Sequence, residues 1–452
     1  MYKKKATAKK EMVPSGKKIA KLLRGFKDIL PAEEGYWRYF IQTADKIAQD
    51  YGFSEIRTPI LEETVLFTRG VGKQTDVVEK EMFSFVDQGG DHVSLRPEPT
   101  ASIARAYIEH GMFNQPQPIK VYVIGPMFRY DRPQAGRYRQ FYQFGCEVLG
   151  SEHPVVDIEL ILVAYNFFLK LGLKTNVQIN SIGCNQCRPQ YRSELVNYYK
   201  SKRSLLCEDC KKRLTKNPLR LLDCKEEECQ AIKDEAPQSL DHLCEDCKNH
   251  FMEVLEYLDE LKIPYILNNH LVRGLDYYTK TVFEFFPEED KGKNQIALGG
   301  GGRYDELVEV LGGRPTSAAG FGIGLERTVI ELKEKEVKIP PVKEPAVFLS
   351  QLGEQARKKS LQLYEEFLTN GIEIQAAFSK DSLKDQLEIV NHLGIKYALI
   401  LGQKEVADGT IILRDMVSGS QEILNIKKVI PIIQKRLESD KNEKNSMFDQ
   451  ED

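Results

Sequence analysis

Apolar positions along this chain repeat with two periods, one near 3.6 and one near 2. Residues 33–50 set Tyr36, Phe40 and Ile47 on one stripe after Pro31, which predicts an amphipathic helix ended by Gly52. Phe53–Ile60 alternate toward Pro59 and predict a strand with a proline near its end. Arg96–His110 open with two prolines and continue as a helix. Residues 119–128 and 138–149, rich in Val, Ile, Tyr and Phe, predict two strands. The charged stretch Arg129–Arg137 between them makes a hairpin whose long loop projects from the sheet. Residues 155–172 predict another helix, and strand signals return at Ile263–Asn268 and Thr281–Phe286. Gly299–Gly302 then precede Arg303-Tyr304-Asp305 and a short helix. The small residues of Ala318–Gly324 lead into a helix starting near Leu325, and they are expected to let strand and helix pack closely.

After a charged, proline-bearing stretch the pattern changes. Val347–Leu349, Ile372–Ala376, Tyr397–Leu401 and Thr410–Asp415 read as strands, and 354–370, 382–393 and 426–437 as helices. This is an α/β domain with a mixed or mainly parallel sheet. The expected organisation is a basic disordered arm at 1–20, a core at 21–180 and 261–332 interrupted by a more polar insertion at 181–260, a linker at 333–345, the α/β domain at 346–437, and an acidic tail at 438–452.

Charge changes the picture only locally. The 452 residues carry 64 Lys+Arg against 67 Asp+Glu, a formal net charge of −3, which excludes a protein that coats nucleic acid by bulk charge. A specific nucleic-acid partner met by local patches remains compatible with that balance. No run of 18 apolar residues is present, so no transmembrane helix is expected. The lysine-rich start lacks the apolar stretch of a secretory signal, and no Arg precedes Arg24, which argues against a mitochondrial transit peptide.

Cysteine usage marks the insertion. Of nine cysteines, eight form four pairs: Cys184/Cys187, Cys207/Cys210, Cys224/Cys229 and Cys244/Cys247. Without a secretion signal, disulfides are a poor explanation, whereas paired thiolates suit tetrahedral zinc with four sulfurs per ion. Eight thiols are enough for two zinc ions with four cysteines each, or for one with spares. The alternative is reduced cysteines without metal.

Candidate chemistry lies in four places. The hairpin loop holds Arg129, Arg132, Arg137 and Arg139; alone it reads as a solvated turn, but guanidinium forks match phosphate oxygens bidentately. Gln143 and Glu147, four apart on the following strand, point to one face of the sheet, and Glu147 there is costly to bury without a cationic partner. Gly299–Gly302 lack the Lys-Ser/Thr that follows in a phosphate-binding P-loop. Gly320-Phe-Gly-Ile-Gly324 is not spaced as a dinucleotide fingerprint, but Glu326-Arg327 after it puts a cation at a helix N-terminus, where anions are favoured. Leu271-Val-Arg-Gly-Leu-Asp-Tyr-Tyr278 sets Arg273 among apolar residues. It reads either as a core turn or as a buried Arg aimed at developing negative charge.

These pieces, in this order, resemble the histidyl-tRNA synthetases, which are class II aminoacyl-tRNA synthetases, over about residues 20–437. Tyr51–Glu63 looks like the first, dimer-forming class motif. Met127-Phe-Arg-Tyr-Asp-Arg to Phe144-Gly-Cys-Glu-Val looks like the second, and Gly320–Arg327 like the third. Leu271–Tyr278 is similar to a motif peculiar to the histidine enzymes. The resemblance implies an α+β fold: an antiparallel-sheet catalytic core carrying the cysteine-rich insertion, plus a C-terminal α/β anticodon-binding domain. It implies a cytoplasmic homodimer that uses ATP and Mg2+ to activate L-histidine to the adenylate with pyrophosphate release, then charges tRNA(His). Arg129, Arg137 and Arg327 would grip ATP, with Arg273 at the α-phosphate. Glu98, Pro99, Thr100, Gln143, Glu147, Tyr277 and Tyr278 would line the histidine site. Gln134 and Arg139 would meet the tRNA acceptor end.

Two departures stand out. Pro99 occupies a position where many bacterial members have Gly, so a main-chain N–H is lost there. The four cysteine pairs are not general in the family. The competing reading is a non-catalytic paralogue acting as a regulatory subunit of ATP phosphoribosyltransferase; it would be expected to lack the Arg273–Tyr278 motif and the C-terminal domain.

Overall fold

The computed structural model describes residues 19–288, 296–340 and 345–448, with side chains to residue 440. The lysine-rich arm therefore falls, to residue 18, outside the described residues, as do residues 341–344 of the expected linker and the last four residues of the acidic tail. Contacts divide the chain into two units that meet at Ile339/Pro340.

The first unit is built on an eight-stranded sheet. Its strands are β1 (Ser54–Glu55), β2 (Ile119–Phe128), β3 (Gln140–Leu149), β4 (Thr175–Ser181), β5 (Tyr265–Leu267), β6 (Thr279–Pro287), β7 (Gly299–Arg303) and β8 (Ala318–Gly324), in the order β1-β2-β3-β8-β7-β6-β4-β5. All neighbours pair antiparallel except the two edge pairs, β1/β2 and β4/β5. One face is covered by the helices Glu34–Asp50 and Val155–Lys170, whose Phe40, Phe167 and Phe168 pack on Phe144, Phe285 and Phe321 of the sheet. The other face is covered at β2 by the Thr100–Glu109 helix, whose Ile103, Ala104 and Tyr107 cluster with Val121, Val123 and Leu149, and it opens over β3, β8, β7 and β6 as the site described below.

Two expectations are corrected here. Of Phe53–Ile60, only Ser54–Glu55 is strand. The backbone beyond turns to Arg96 instead: its side chain donates to the Thr58 carbonyl (2.9 Å) and its N–H to that of Ile60 (2.9 Å). Gly299–Gly302 are neither loop nor turn but β7, in register with β6 (Gly301↔Phe283) and β8 (Gly301↔Phe321). A run of glycines reads as punctuation in sequence; paired on both sides, its backbone hydrogen bonds are satisfied without side chains. A three-stranded sheet of Leu61–Glu63, Ser84–Val86 and His92–Leu95 was not anticipated.

The cysteine-bearing segment runs between β4 and β5 and lies inside the first unit. Its last helix, Glu245–Glu260, buries Phe251, Val254 and Leu258 in the core of the main sheet. Its earlier part packs Tyr191, Leu195, Tyr199, Leu214, Leu221 and Leu222 in one cluster with Leu271, Val272, Tyr278 and Val282 of the core.

The second unit has a mixed five-stranded sheet: β9 (Val347–Gln351), β10 (Ile374–Ala376), β11 (Tyr397–Leu401), β12 (Thr410–Asp415) and β13 (Gln421–Asn425), ordered β10-β9-β11-β12-β13. β9 pairs parallel with both neighbours, and the remaining pairs are antiparallel. Strand β13 and the helix Gln403–Asp408 were not read from the sequence. The last helix spans Val429–Phe448 and so extends into the stretch expected to be an acidic tail. Asp440 anchors it, accepting from Lys396 (2.6 Å) and the Tyr397 hydroxyl (3.0 Å).

Among the described residues, no helix is long and apolar enough to cross a membrane.

Candidate active site

The open face of β3, β8, β7 and β6 carries a pocket whose walls are acids and hydroxyls. Glu147 on β3 is 2% exposed. Its carboxylate accepts from the Thr100 hydroxyl (2.7 Å) and the Tyr304 hydroxyl (2.5 Å). Burial raises its pKa to about 8 despite those bonds. Among the described residues, two neutral hydroxyls stand where a cationic partner was expected. Glu98 is also buried. It accepts from the Thr100 N–H (2.7 Å) and the Ala101 N–H (2.9 Å), the first free donors of the Thr100–Glu109 helix. Burial pushes its carboxyl up as well. Tyr277 donates to Glu98 at 3.4 Å, and its ring lies 4.6 Å from Tyr278 and 5.5 Å from Tyr304.

Glycines make the room. Gly320 faces Glu147 in register, and a Cβ there would overlap Glu147 Oε2. The glycines of β8 thus serve the pocket floor, while Ala319, Phe321 and Ile323 on its other side pack in the core with the Val155–Lys170 helix. A Cβ at Gly300 would meet an Arg273 guanidinium nitrogen at 2.7 Å.

Beside this pocket opens a cleft of about 310 Å3 lined by arginines. Arg129 donates to the Pro97 carbonyl (2.9 Å) and lies over the Phe141 ring. Arg137 pairs with Asp131 (3.3 Å). Arg327, in the first turn of the Leu325–Glu334 helix, donates to the Ala297 carbonyl (2.8 Å). Burial, with Arg137 and Arg129 nearby, lowers its pKa to about 10. Three cations held this close, with the N–H groups of Arg327 spent on carbonyls rather than carboxylates among the described residues, form a site for a polyanion. Arg273 stands at the junction of pocket and cleft, ion-paired with Glu284 of β6. Among the described residues its buried Nε has no hydrogen-bond partner, and neither has Gln143 Oε1 nearby. Both side chains are part of the lining of pocket and cleft, so a ligand there would lie beside them.

The pocket therefore brings together Glu98, Pro99, Thr100, Gln143, Glu147, Tyr277 and Tyr278, and the cleft Arg129, Arg137, Arg273 and Arg327. Pro99 supplies a pocket wall without an N–H, and the two N–H groups after it are spent on Glu98. Gln134 and Arg139 line neither. Gln134 forms a two-residue bridge with Arg137, and Arg139 stacks on Tyr130 at 3.5 Å and donates to the Arg24 carbonyl. Tyr304 and Glu284 were missed. For Glu284 the usable signal was one acid in an apolar strand, the same that singled out Glu147. Tyr304 would have needed β7 to be read as a strand.

The eight cysteines form two groups, Cys184/Cys187/Cys244/Cys247 and Cys207/Cys210/Cys224/Cys229, each with its four sulfurs within 4.8 Å of one another. The Cys184–Cys187, Cys184–Cys244 and Cys187–Cys247 Sγ separations are 3.8, 3.8 and 3.9 Å, and Cys207–Cys224 is 3.9 Å. These are far too long for disulfides but match the ~3.8 Å edge of a sulfur tetrahedron with bonds of about 2.3 Å to zinc. Backbone N–H groups donate to the sulfurs, as thiolates require: Cys184 N to Cys187 Sγ (3.1 Å) and Cys207 N to Cys229 Sγ (3.3 Å). The donor set fits zinc.

Comparison with known proteins agrees along the chain. A family profile described as "Histidyl-tRNA synthetase" matches residues 25–328, and one described as "Anticodon binding domain" matches residues 336–436. A curated relative from Dehalococcoides mccartyi, named "Histidine--tRNA ligase", is 46% identical over 415 residues, 92% of this chain and 99% of its own length. One of the same name from Pelotomaculum thermopropionicum is 45% identical over 92% of this chain and 97% of its own. The solved apo histidyl-tRNA synthetase of S. aureus superposes with a TM-score of 0.76 at 34% identity, covering 92% of this chain and all of that one. A Bacillus halodurans structure titled "ATP phosphoribosyltransferase regulatory subunit/histidyl-tRNA synthetase" shares the fold at TM-score 0.59 and 21% identity.

Proposed function

The chain belongs to the histidyl-tRNA synthetase family, and from that premise we propose how its residues divide the work of histidine–tRNA ligation. Histidine enters the acid-and-hydroxyl pocket, where Glu98 and Glu147 receive its ammonium and imidazole N–H groups, and Gln143, Tyr277 and Tyr278 complete the lining. Such a site rejects analogues that leave its buried polar groups unpaired. ATP lies in the adjoining cleft, its phosphates on Arg129, Arg137 and Arg327, with Mg2+ arriving on the nucleotide. Arg273 sits between the two, facing the α-phosphate. The histidine carboxylate attacks the α-phosphorus in line, the bond to the β-phosphate oxygen breaks, and pyrophosphate leaves. The adenylate then gives its acyl group to the terminal ribose hydroxyl of tRNA(His) and releases AMP. The protein supplies position and charge rather than covalent chemistry.

The observation that carries this reading is Arg273: ion-paired from behind by Glu284, with a buried unpartnered Nε, where pocket and cleft meet. Arg273→Ala is expected to slow histidine-dependent ATP–pyrophosphate exchange by on the order of a hundredfold, the loss expected for a donor to developing negative charge. Exchange at the parent rate would remove Arg273 from the reaction.

Three further assignments belong to the same reading. The two cysteine groups hold structural zinc, one ion each. The protein works as a cytoplasmic homodimer; exposed Ile60, Leu61, Val65, Phe85 and Val86, on and beside the three-stranded sheet, support an apolar face there. Gln134 and Arg139 meet the tRNA acceptor end from the rim of the loop. The regulatory-subunit alternative is less supported, because the Arg273–Tyr278 motif and the second unit are both present.

A further inference from the structure

The cysteine-bearing segment does more than flank the active site: one of its side chains lines the arginine cleft. Arg220, in the short helical turn Pro218–Leu221, borders that cleft together with Asp223, and is 17% exposed. It abuts the histidine motif closely enough that a Cβ on Gly274 would lie 3.8 Å from its guanidinium. One guanidinium nitrogen bonds Asp223 (2.9 Å), and the other reaches Asp76 only at 3.9 Å. Asp76 is already held by Arg213 at 2.8 Å and Lys80 at 3.1 Å. Arg220 therefore keeps donor capacity at the edge of the cleft.

The turn that carries Arg220 leads directly into the inner cysteine group. The four pairs are nested: the first and last make one cluster, and the second and third make the other. Cys224 follows Arg220 by four residues, and Leu221 and Leu222 between them belong with Cys210, Cys224 and Cys229 to a buried cluster that also takes in Leu271, Val272 and Tyr278. The Glu208–Lys216 helix, capped by Cys207, fixes the other side through Arg213 to Asp76 and Lys216 to Glu79 (2.6 Å). A tetrathiolate metal would fix the path of residues 217–224 more firmly than apolar packing alone.

We propose that Arg220 is an ATP-phosphate ligand supplied by the insertion, and that zinc at Cys207, Cys210, Cys224 and Cys229 seats it. The inference rests on the synthetase reading and on its zinc assignment. It also gives the two metal sites different consequences, since the outer group is joined by Arg188 to the Tyr278 carbonyl (2.6 Å) on the histidine side of the site.

The test is ATP–pyrophosphate exchange by the full-length protein purified without chelator, with zinc counted on the same samples. The parent is expected to hold two zinc ions per chain. Arg220→Ala should keep both ions and raise the KM for ATP about tenfold or more, with the KM for histidine unchanged; a charge-assisted hydrogen bond is worth that much. Arg220→Lys should recover part of the loss. Cys224→Ser should hold one zinc and reproduce the ATP defect. An Arg220→Ala protein with two zinc ions and the parent KM for ATP overturns the proposal and leaves the synthetase reading standing. A change confined to the KM for tRNA in aminoacylation overturns it too. No histidine-dependent exchange by the parent would instead overturn the synthetase reading itself.

Discussion

Glu147 carries most of the information at the scale of single residues. A carboxyl raised to about 8 by burial is largely protonated at neutral pH, whereas a bound ammonium or imidazole N–H favours the ionised form. Histidine binding should therefore release a proton from this group, and kcat/KM for histidine in the exchange reaction should rise as pH approaches about 8. In Glu147→Gln that limb should vanish along with most of the activity. A limb that persists unchanged in the variant would assign it to another group. In the empty protein the raised pKa lowers stability as pH rises from the ordinary carboxylate range, where the unfolded chain ionises, to about 8, where the folded carboxyl does. The position of Glu147 was legible from sequence, because an acid on an apolar strand four residues after Gln143 stands out. Its partners were not. Thr100 and Tyr304 come from 47 and 157 residues away, and two hydroxyls beside a neutral acid leave no charge pattern to read.

At the scale of elements, periodicity located the strands densest in bulky side chains and missed β4, β7, β13 and the three short strands of the small sheet. β2, β3 and β6 announce themselves by Val, Ile, Phe and Tyr. β7 is four glycines and an arginine, and it is a central strand because β6 and β8 pair with it on both sides. The cysteine pairs were visible, but spacing alone could not say which pairs share a site. A second element-scale feature also escaped the sequence. Arg303 at the end of β7 is 0% exposed and pairs with Asp157 (2.8 Å), which also bonds His250 (2.8 Å), joining β7 to the Val155–Lys170 and Glu245–Glu260 helices. Burial works to raise the Asp157 carboxyl, but Arg303 and His250 hold it below the usual range. Its stabilising contribution is present above pH ~4 and is lost as the pH falls through the lowered range. Asp157→Asn should leave the buried Arg303 with Asp305 (3.1 Å) as its remaining carboxylate partner among the described residues, costing about 2 kcal/mol in urea unfolding. A loss under about 1 kcal/mol would mean that the pair is not what joins these elements.

At the scale of the whole molecule, the near-neutral net charge of −3 and the arginine-lined cleft are compatible because the cations are concentrated. Arg129, Arg137, Arg273 and Arg327 come from three separated stretches of sequence and reach one cavity only through the order of the sheet. That convergence, with an acid-and-hydroxyl pocket beside it, is what a histidine-activating site needs. The most direct test is ATP–pyrophosphate exchange by the purified chain against each of the twenty amino acids. Exchange supported by L-histidine and by no other is the expected result. Exchange with none of them, or equal exchange with several, would contradict the account.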